Sequence, residues 1–136
     1  MSLNESHIIL KTKDLSIGYA SKKAETVVAS HINIELKKGD LVGLVGANGI
    51  GKSTLLRTLT NVQNPLIGNV FINDIDLFKY APLDLAKTMS LVLTEPLASK
   101  NLSVLELVTL GRQPYTNWIG NPSKNDMEFV NSALEQ

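Results

Sequence analysis

One run of eight residues constrains this chain more than any other feature. Residues 46–53 read Gly-Ala-Asn-Gly-Ile-Gly-Lys-Ser and match the pattern G-x-x-x-x-G-K-[ST]. Glycines allow left-handed backbone angles, so successive N–H groups can point at one anion. In this pattern Lys52 places an ammonium among β- and γ-phosphate oxygens, and the Ser53 hydroxyl ligates the Mg²⁺ that bridges them. The run therefore predicts a phosphate-binding loop.

The residues on either side supply the strand and the helix that such a loop needs. Residues 41–45 are a short apolar run typical of a buried parallel strand. After the loop, Leu55, Leu56 and Leu59 fall on one helical face. Arg57 points away from that face. A helix N-terminus adds free N–H groups and a dipole that favours an anion.

The composition is that of a globular protein with a core. The 136 residues are 43% hydrophobic and 19% charged, which argues against disorder. Thirteen basic residues balance thirteen acidic ones, so no overall field attracts nucleic acid or anionic lipid. The chain has no cysteine, which excludes disulfides and thiolate metal sites. No apolar run approaches the roughly 20 residues of a membrane span, so we expect no direct membrane insertion.

The sequence before the loop has the pattern of an antiparallel sheet. Residues 8–19 alternate apolar and polar side chains as a strand, and residues 32–36 repeat that pattern. Beyond the first helix, residues 70–72 begin a short strand that ends in the turn at 73–74. Residues 89–93 are an apolar run typical of a central strand, whose tip at Glu95 could face a nucleotide.

Three short helices are predicted in the second half of the chain. Pro82 suits the first position of a helix through Lys87. Ser103 fits a capping box for a helix from about Val104 to Gly111, where the glycine ends it. Ser123 caps a further helix. The apolar face of that helix is formed by Met127, Val130 and Leu134.

Three segments resemble the ATP-binding subunit of ABC transporters: residues 15–19, residues 46–54 and residues 103–114. The last segment, which includes Glu-Leu-Val-Thr-Leu-Gly-Arg-Gln-Pro, is similar to the start of the helical subdomain in importers of iron-siderophore, haem and cobalamin. The resemblance implies an α/β P-loop NTPase (ABC ATPase) fold, N-terminal part. It comprises an antiparallel β subdomain, parallel core strands and the start of a helical subdomain.

The same resemblance implies domains, function and partners. Residues 1–136 would form the N-terminal part of one ABC ATPase domain, with the nucleotide-binding core and β subdomain at about 1–95 and the helical subdomain beginning at about 96–136. The implied function is an ATP-binding subunit that powers import of a metal chelate. Its partners would be a second ATPase subunit and a membrane permease, with the subunit cytoplasmic and peripheral on the inner face of the cell membrane. A soluble or exporter-type ABC ATPase and a non-catalytic nucleotide-binding module remain open.

ATP and Mg²⁺ are the ligands that the resemblance implies. Tyr19 would stack on adenine, although a tyrosine packed at a strand end is the alternative. Ser53 and Glu95 would be the metal ligands. The implied nucleotide-binding residues are Tyr19, Gly46, Ala47, Asn48, Gly49, Ile50, Gly51, Lys52, Ser53 and Thr54.

Glu95 departs from the family pattern, which has glutamine at this strand tip to contact Mg²⁺. A carboxylate can also ligate Mg²⁺, but it adds a negative charge beside the γ-phosphate. We therefore expect weaker binding of metal-free nucleotide. Two alternatives remain open: Glu95 is an ordinary solvated strand end, or residues 89–95 are a Walker B strand with Thr94 in place of the expected aspartate.

The family completes its catalytic site with later elements. These are a Leu-Ser-Gly-Gly-Gln signature, a Walker B strand ending in aspartate and glutamate, and a switch histidine. None of them follows within these 136 residues. The sequence thus resembles the N-terminal portion of such an ATPase. We expect it to bind ATP without hydrolysing it and to contain no catalytic residue of its own.

Other polar and aromatic residues have structural interpretations. Asp74 and Asp76 lie at a hairpin tip, where such residues form turns. His7 and His31 lack the spacing of a metal site. The aromatic residues beside Arg112 that could form an exposed contact or lie in a helical core are Tyr115 and Trp118.

Overall fold

The computed structural model describes residues 7–22, 24–92, 102–116 and 120–136. The chain divides into two compact units, Met1–Tyr80 and Ala81–Gln136. The predicted domain boundary near residue 95 lies outside the described residues. So do Thr94, Glu95 and Trp118.

The first unit is built on an antiparallel sheet around one long strand. In the described part of this unit the strands are β1 (Ile8–Ala20), β2 (Glu25–Ile32), β3 (Glu35–Lys37), β4 (Ile67–Ile72) and β5 (Ile75–Asp76). β1 pairs antiparallel with β2, β3 and β4, and β5 extends the sheet from β4. The antiparallel sheet predicted before the loop is confirmed, as is the short strand before residues 73–74.

The single strand predicted at 32–36 is in fact a break between two strands. β2 ends at Ile32, one residue after His31 adopts a left-handed φ of 56°. At the break, the Thr12 hydroxyl donates to the Ile32 carbonyl at 2.9 Å and accepts from the Ile34 N–H at 2.9 Å. A side chain of β1 thus replaces ladder bonds, which the alternating sequence pattern does not reveal.

Helix α1 (Lys52–Leu59) follows the glycine-rich loop as predicted, but its buried face differs from the prediction. Leu56 is 43% exposed. Threonine takes core positions instead, because the Thr58 hydroxyl donates to the Thr54 carbonyl at 2.8 Å and is thereby satisfied when buried. The buried face of α1 consists of Thr54, Leu55, Thr58 and Leu59.

The two predicted parallel strands are not formed in the described residues. Residues 41–47 and 89–92 have no regular secondary structure. Leu41 is 100% exposed and Val92 is 92% exposed. A strand is stabilised by hydrogen bonds to a neighbouring strand, and no described strand pairs with either segment. The prediction of regular strands at 41–45 and 89–93 is therefore wrong for the described part of these segments.

The second unit contains helices α2 (Pro82–Thr88), α3 (Val104–Leu110) and α4 (Lys124–Leu134). Pro82 occupies the first turn of α2, and Ser103 caps α3 in a full capping box, both as predicted. Gly111 ends α3 with a right-handed backbone conformation, so this position does not require glycine for a positive φ.

The apolar face predicted for α4 is only partly buried. Val130 is buried, Met127 is half-buried and Leu134 is exposed. Ser123 caps the helix as predicted, and Asp126 completes a second capping box.

Candidate functional site

The glycine-rich loop connects residues 41–45, which have no regular secondary structure, to the start of α1. Gly49 and Gly51 have left-handed φ values of 82° and 106°, which only glycine adopts without strain. Gly51 also lies against β2, since a Cβ there would fall 2.3 Å from Cγ1 of Val28. The glycine immediately before Lys52 is therefore required both by its backbone angle and by its close approach to the sheet.

Lys52, the first residue of α1, turns its side chain back over the loop. Its Nζ donates to the carbonyls of Gly46 at 2.6 Å and Ala47 at 2.7 Å. The ammonium thus lies against the first two residues of the loop. The N-terminus of α1, where Lys52 begins the helix, adds N–H groups that have no partner within the helix. A cation and a helix dipole at one point make a site for a polyanion.

Tyr19 lies near the end of β1 and reaches the first turn of α1. Its hydroxyl is hydrogen-bonded to Oγ1 of Thr54 at 2.9 Å. Tyr19 is 52% exposed. It lines a cavity together with residues of the glycine-rich loop.

Seven of the ten residues predicted to bind nucleotide surround one cavity of about 260 Å³. Three others, Gly46, Ala47 and Ile50, do not line it. A second cavity, of about 410 Å³, is also lined by Tyr19, together with Gln63 and its neighbours. The residues lining the first cavity are Tyr19, Asn48, Gly49, Gly51, Lys52, Ser53 and Thr54.

Gln63 is a residue of this region that the sequence did not single out. It follows α1, and its side-chain amide donates to the Gly18 carbonyl, 45 residues earlier. The spacing of these two residues matches no motif, so only the folded chain reveals the contact.

The second unit carries a polar cluster centred on Arg112. The guanidinium donates from Nε at 2.9 Å and Nη2 at 2.8 Å to Oδ1 of Asp126. It also stacks on Tyr115 and Phe129, with its Cζ 4.1 Å and 4.6 Å from the ring centroids. Tyr115 is 48% exposed, so it forms the exposed contact and not a helical core.

Hydrogen bonds lower the pKa of Asp126 from its usual range. The largest cause is the Ser123 hydroxyl, followed by the Ser123 backbone N–H and the Arg112 guanidinium. Asp126 thus joins the turn after α3 to the first turn of α4. Its role in this unit is to hold two helices together.

The remaining polar residues have the structural roles that the sequence predicted. Asp74 has a left-handed φ of 63° in the hairpin turn and pairs with Lys11. Asp76 accepts from the Phe78 N–H at 2.9 Å. Nδ1 of His31 lies 2.6 Å from Oδ1 of Asp14. Within the described ranges, no group of three histidine, cysteine, aspartate or glutamate residues could hold a metal ion.

Comparison with known proteins identifies the class of protein that this loop and sheet define. The ABC transporter family matches residues 29–136, and the chain belongs to this family.

Two curated proteins of this family are similar to the chain over most of its length. The achromobactin transport ATP-binding protein of Dickeya dadantii is 35% identical over 127 residues, which cover 93% of this chain and 46% of that protein. The iron(3+)-hydroxamate import ATP-binding protein of Bacillus subtilis is also 35% identical over 127 residues, with the same coverage. The chain thus spans less than half the length of these curated relatives.

A solved structure supports the fold. The dimeric ATP-binding cassette MJ0796, in a post-hydrolysis state bound to ADP and phosphate, is similar with a TM-score of 0.72 and 25% identity. The match covers 93% of this chain and 55% of the cassette. The chain therefore has the N-terminal ABC ATPase fold. Separately, none of the helices in the described ranges is long and apolar enough for a membrane span.

Proposed function

We propose that this chain is the nucleotide-binding part of an ATP-binding subunit that powers import of a metal chelate of the iron-siderophore, haem or cobalamin type. The observation that carries the nucleotide assignment is the cavity at which Lys52, Ser53 and Tyr19 meet. The import assignment rests on the relatives, two of which are named for achromobactin transport and iron(3+)-hydroxamate import.

In this proposal, side-chain and backbone groups of the loop both bind the phosphates. Lys52 contacts the β- and γ-phosphate oxygens. To do so, its ammonium gives up its hydrogen bonds to the carbonyls of Gly46 and Ala47. Backbone N–H groups of residues 46–54 and the dipole of α1 hold the remaining phosphate charge. The donor set of the loop fits a triphosphate because the residues that carry the ammonium and the hydroxyls, Lys52, Ser53 and Thr54, line one cavity.

Mg²⁺ fits the same site through the Ser53 hydroxyl, which lines the cavity next to Lys52. When bound with ATP, Mg²⁺ neutralises charge on the β- and γ-phosphates. We also assign Glu95 as a metal ligand. Glu95→Gln is expected to tighten metal-free ATP a few-fold and to lose that advantage with Mg²⁺, because the carboxylate then faces a cation.

Titration of ATP with and without Mg²⁺ tests the assignment of Glu95. Glu135→Gln makes the same change of charge at an exposed position and serves as the control. If Glu95→Gln and Glu135→Gln bind ATP with equal affinity both with and without Mg²⁺, Glu95 is not part of the site.

Tyr19 is the platform for the adenine ring in this proposal. Its half-exposed ring lies beside the loop, where its hydroxyl meets Thr54. Stacking of a base on an aromatic side chain contributes about 1 to 3 kcal/mol in nucleic-acid proteins. That contribution is enough to separate ATP from inorganic triphosphate.

The proposed partners are a second ATPase subunit and a membrane permease. The similar cassette is dimeric, and the two relatives are named as transport ATP-binding proteins. The proposed location is the cytoplasmic face of the membrane, held there by the permease. Co-sedimentation with permease-containing membranes, lost when the permease is omitted, is the expected result. Equal sedimentation with bare lipid vesicles would contradict it.

Lys52→Ala tests the nucleotide assignment. Saturating Mg-ATP at about 100 times the dissociation constant adds about 2.7 kcal/mol to stability, which raises the thermal midpoint of the native chain. We expect no rise in Lys52→Ala, because the loop loses its cation. Lys38→Ala, at an exposed turn, removes the same charge and keeps the rise. An undiminished rise in Lys52→Ala would refute the phosphate-binding loop.

A further inference from the structure

Gln63 is anchored to the end of helix α1. Its backbone N–H donates to the Arg57 carbonyl at 3.1 Å, and the Val62 N–H donates to the same carbonyl at 2.9 Å. Asn61, in the same turn, has a left-handed φ of 60°. The turn after α1 therefore fixes the Gln63 backbone relative to the helix.

The side chain of Gln63 reaches β1 at a place where no described strand pairs with one of its edges. On that edge β4 pairs with β1 only as far as Ser16. Beyond it, Nε2 of Gln63 donates to the Gly18 carbonyl at 2.5 Å. The Leu66 N–H donates to the Ser16 carbonyl at 2.9 Å. The turn after α1 thus supplies donors to β1 where the strand ladder ends.

Gly18 is also confined on its other side. A Cβ at this position would fall 2.0 Å from the Thr26 carbonyl oxygen of β2 and 2.7 Å from Cδ1 of Leu66. The backbone that carries Tyr19 is therefore held between β2 and the turn after α1.

The first turn of α1 and the turn that follows the helix consequently both contact the Tyr19 region. Thr54, in the first turn, is bonded to the Tyr19 hydroxyl at 2.9 Å, and Gln63, after the last turn, is bonded to the residue before Tyr19. Since α1 begins at Lys52, one helix sets the distance between the phosphate loop and the tyrosine.

We propose that Gln63 is a positioning residue for the nucleobase: its amide fixes the Gly18–Tyr19 backbone, and with it the tyrosine ring, relative to the phosphate loop. This inference rests on the proposed function of Tyr19 as the adenine platform. Gln63 itself needs no contact with ATP. Its loss should weaken the base contribution to binding and leave the phosphate contribution intact.

The test compares Mg-ATP with Mg-triphosphate, which has no base. Gln63→Glu keeps the size of the side chain but replaces the amide donor by a carboxylate that opposes the Gly18 carbonyl. We expect the affinity for Mg-ATP to fall about tenfold, as loss of a partly buried hydrogen bond predicts. The affinity for Mg-triphosphate should change less than about twofold. Gln113→Glu, the same chemical change in the second unit, should leave both affinities unaltered.

Two outcomes would overturn the role of Gln63. Equal losses for both ligands would mean that Gln63 supports the unit in general, and no loss for either would mean that its hydrogen bond is irrelevant to binding. If Gln63→Glu does not fold, Gln63→Asn, which shortens the side chain but keeps the amide, is held to the same criterion. Failure of the proposed function is distinguishable, because the native chain would then bind neither ligand in a Lys52-dependent way.

Discussion

Gly51 is the residue at which the loop depends most on the absence of a side chain. Gly51→Ala forces alanine into a φ of 106° and brings a Cβ within 2.3 Å of Val28. We expect a loss of about 2 to 4 kcal/mol in the free energy of unfolding, from backbone strain plus overpacking. Urea unfolding measures it.

A second glycine separates the two causes. Gly39 also has a positive φ, of 89°, but nothing lies within 4 Å of its Cβ position. Gly39→Ala should therefore cost only the strain, about 1 to 2 kcal/mol. A Gly51→Ala loss no larger than this would contradict the close contact between the loop and β2.

Tyr19 offers a second test at the residue scale. Tyr19→Ala should weaken Mg-ATP about 5- to 150-fold, because base stacking contributes about 1 to 3 kcal/mol, and should spare Mg-triphosphate. Tyr19→Phe keeps the ring and loses only the bond to Thr54, so it should retain most of the ATP affinity. Titration calorimetry with both ligands measures the difference. Equal losses for ATP and triphosphate in Tyr19→Ala would assign the ring a structural role.

The backbone of the loop was predictable because its requirements are local. Glycine at 49 and 51 is specified by a left-handed φ. The proposed phosphate and metal roles of Lys52 and Ser53 follow from the same eight-residue pattern. Gln63 was not predictable, since its partner lies 45 residues away. The burial of Leu56 was predicted wrongly. Helical periodicity does not show that a threonine whose hydroxyl is hydrogen-bonded, such as Thr58, takes a buried position on the helix instead.

At the element scale, the start of α4 is the clearest case of a helix stabilised by its cap. The Ser123 hydroxyl accepts from the Asp126 N–H at 3.2 Å, and Asp126 Oδ2 accepts from the Ser123 N–H at 2.9 Å. Ser123→Ala should cost about 0.5 to 2 kcal/mol. The thermal midpoint at pH 7 measures this loss. A midpoint equal to that of the native chain would show that the cap is dispensable.

The same cap predicts a dependence on pH. The pKa of Asp126 is lowered in the folded chain, so its carboxylate contributes stability above the unfolded value near 3.8. That contribution is lost as the pH falls through the lower folded pKa. Asp126→Asn should therefore lose less stability than the native chain between pH 5 and about pH 2. Glu128→Gln, exposed on the same helix, should show the same dependence of stability on pH as the native chain. If Asp126→Asn also showed the native dependence, the role of Asp126 would be contradicted.

Helix ends were predictable and strand partners were not. Ser103 and Ser123 mark their helices through bonds within one turn. Pro82 marks its helix through a fixed φ that suits the first turn. Residues 41–45 have the composition of a strand, but a strand also needs a partner, which a local pattern cannot supply. The break between β2 and β3 depends on Thr12, a residue of another strand.

At the scale of the whole molecule, we propose that these 136 residues bind ATP without turning it over. The sequence contains the phosphate loop but no signature, Walker B aspartate–glutamate pair or switch histidine after it. Hydrolysis requires a positioned carboxylate base that activates water, and we propose that these motifs would supply it. We expect phosphate release from Mg-ATP at the rate of the Lys52→Ala variant. Release that depends on Lys52 would require a base within the chain, such as Glu95, Asp74 or Asp76.

The central claim is that the phosphate loop and Tyr19 form one nucleotide site. Its most direct test is a calorimetric titration of the native chain with Mg-ATP, repeated in the presence of Mg-triphosphate. We predict one saturable site, at which ATP binds more tightly than triphosphate and triphosphate competes fully with ATP. Absence of saturable ATP binding, or ATP binding that excess triphosphate does not displace, would contradict the account.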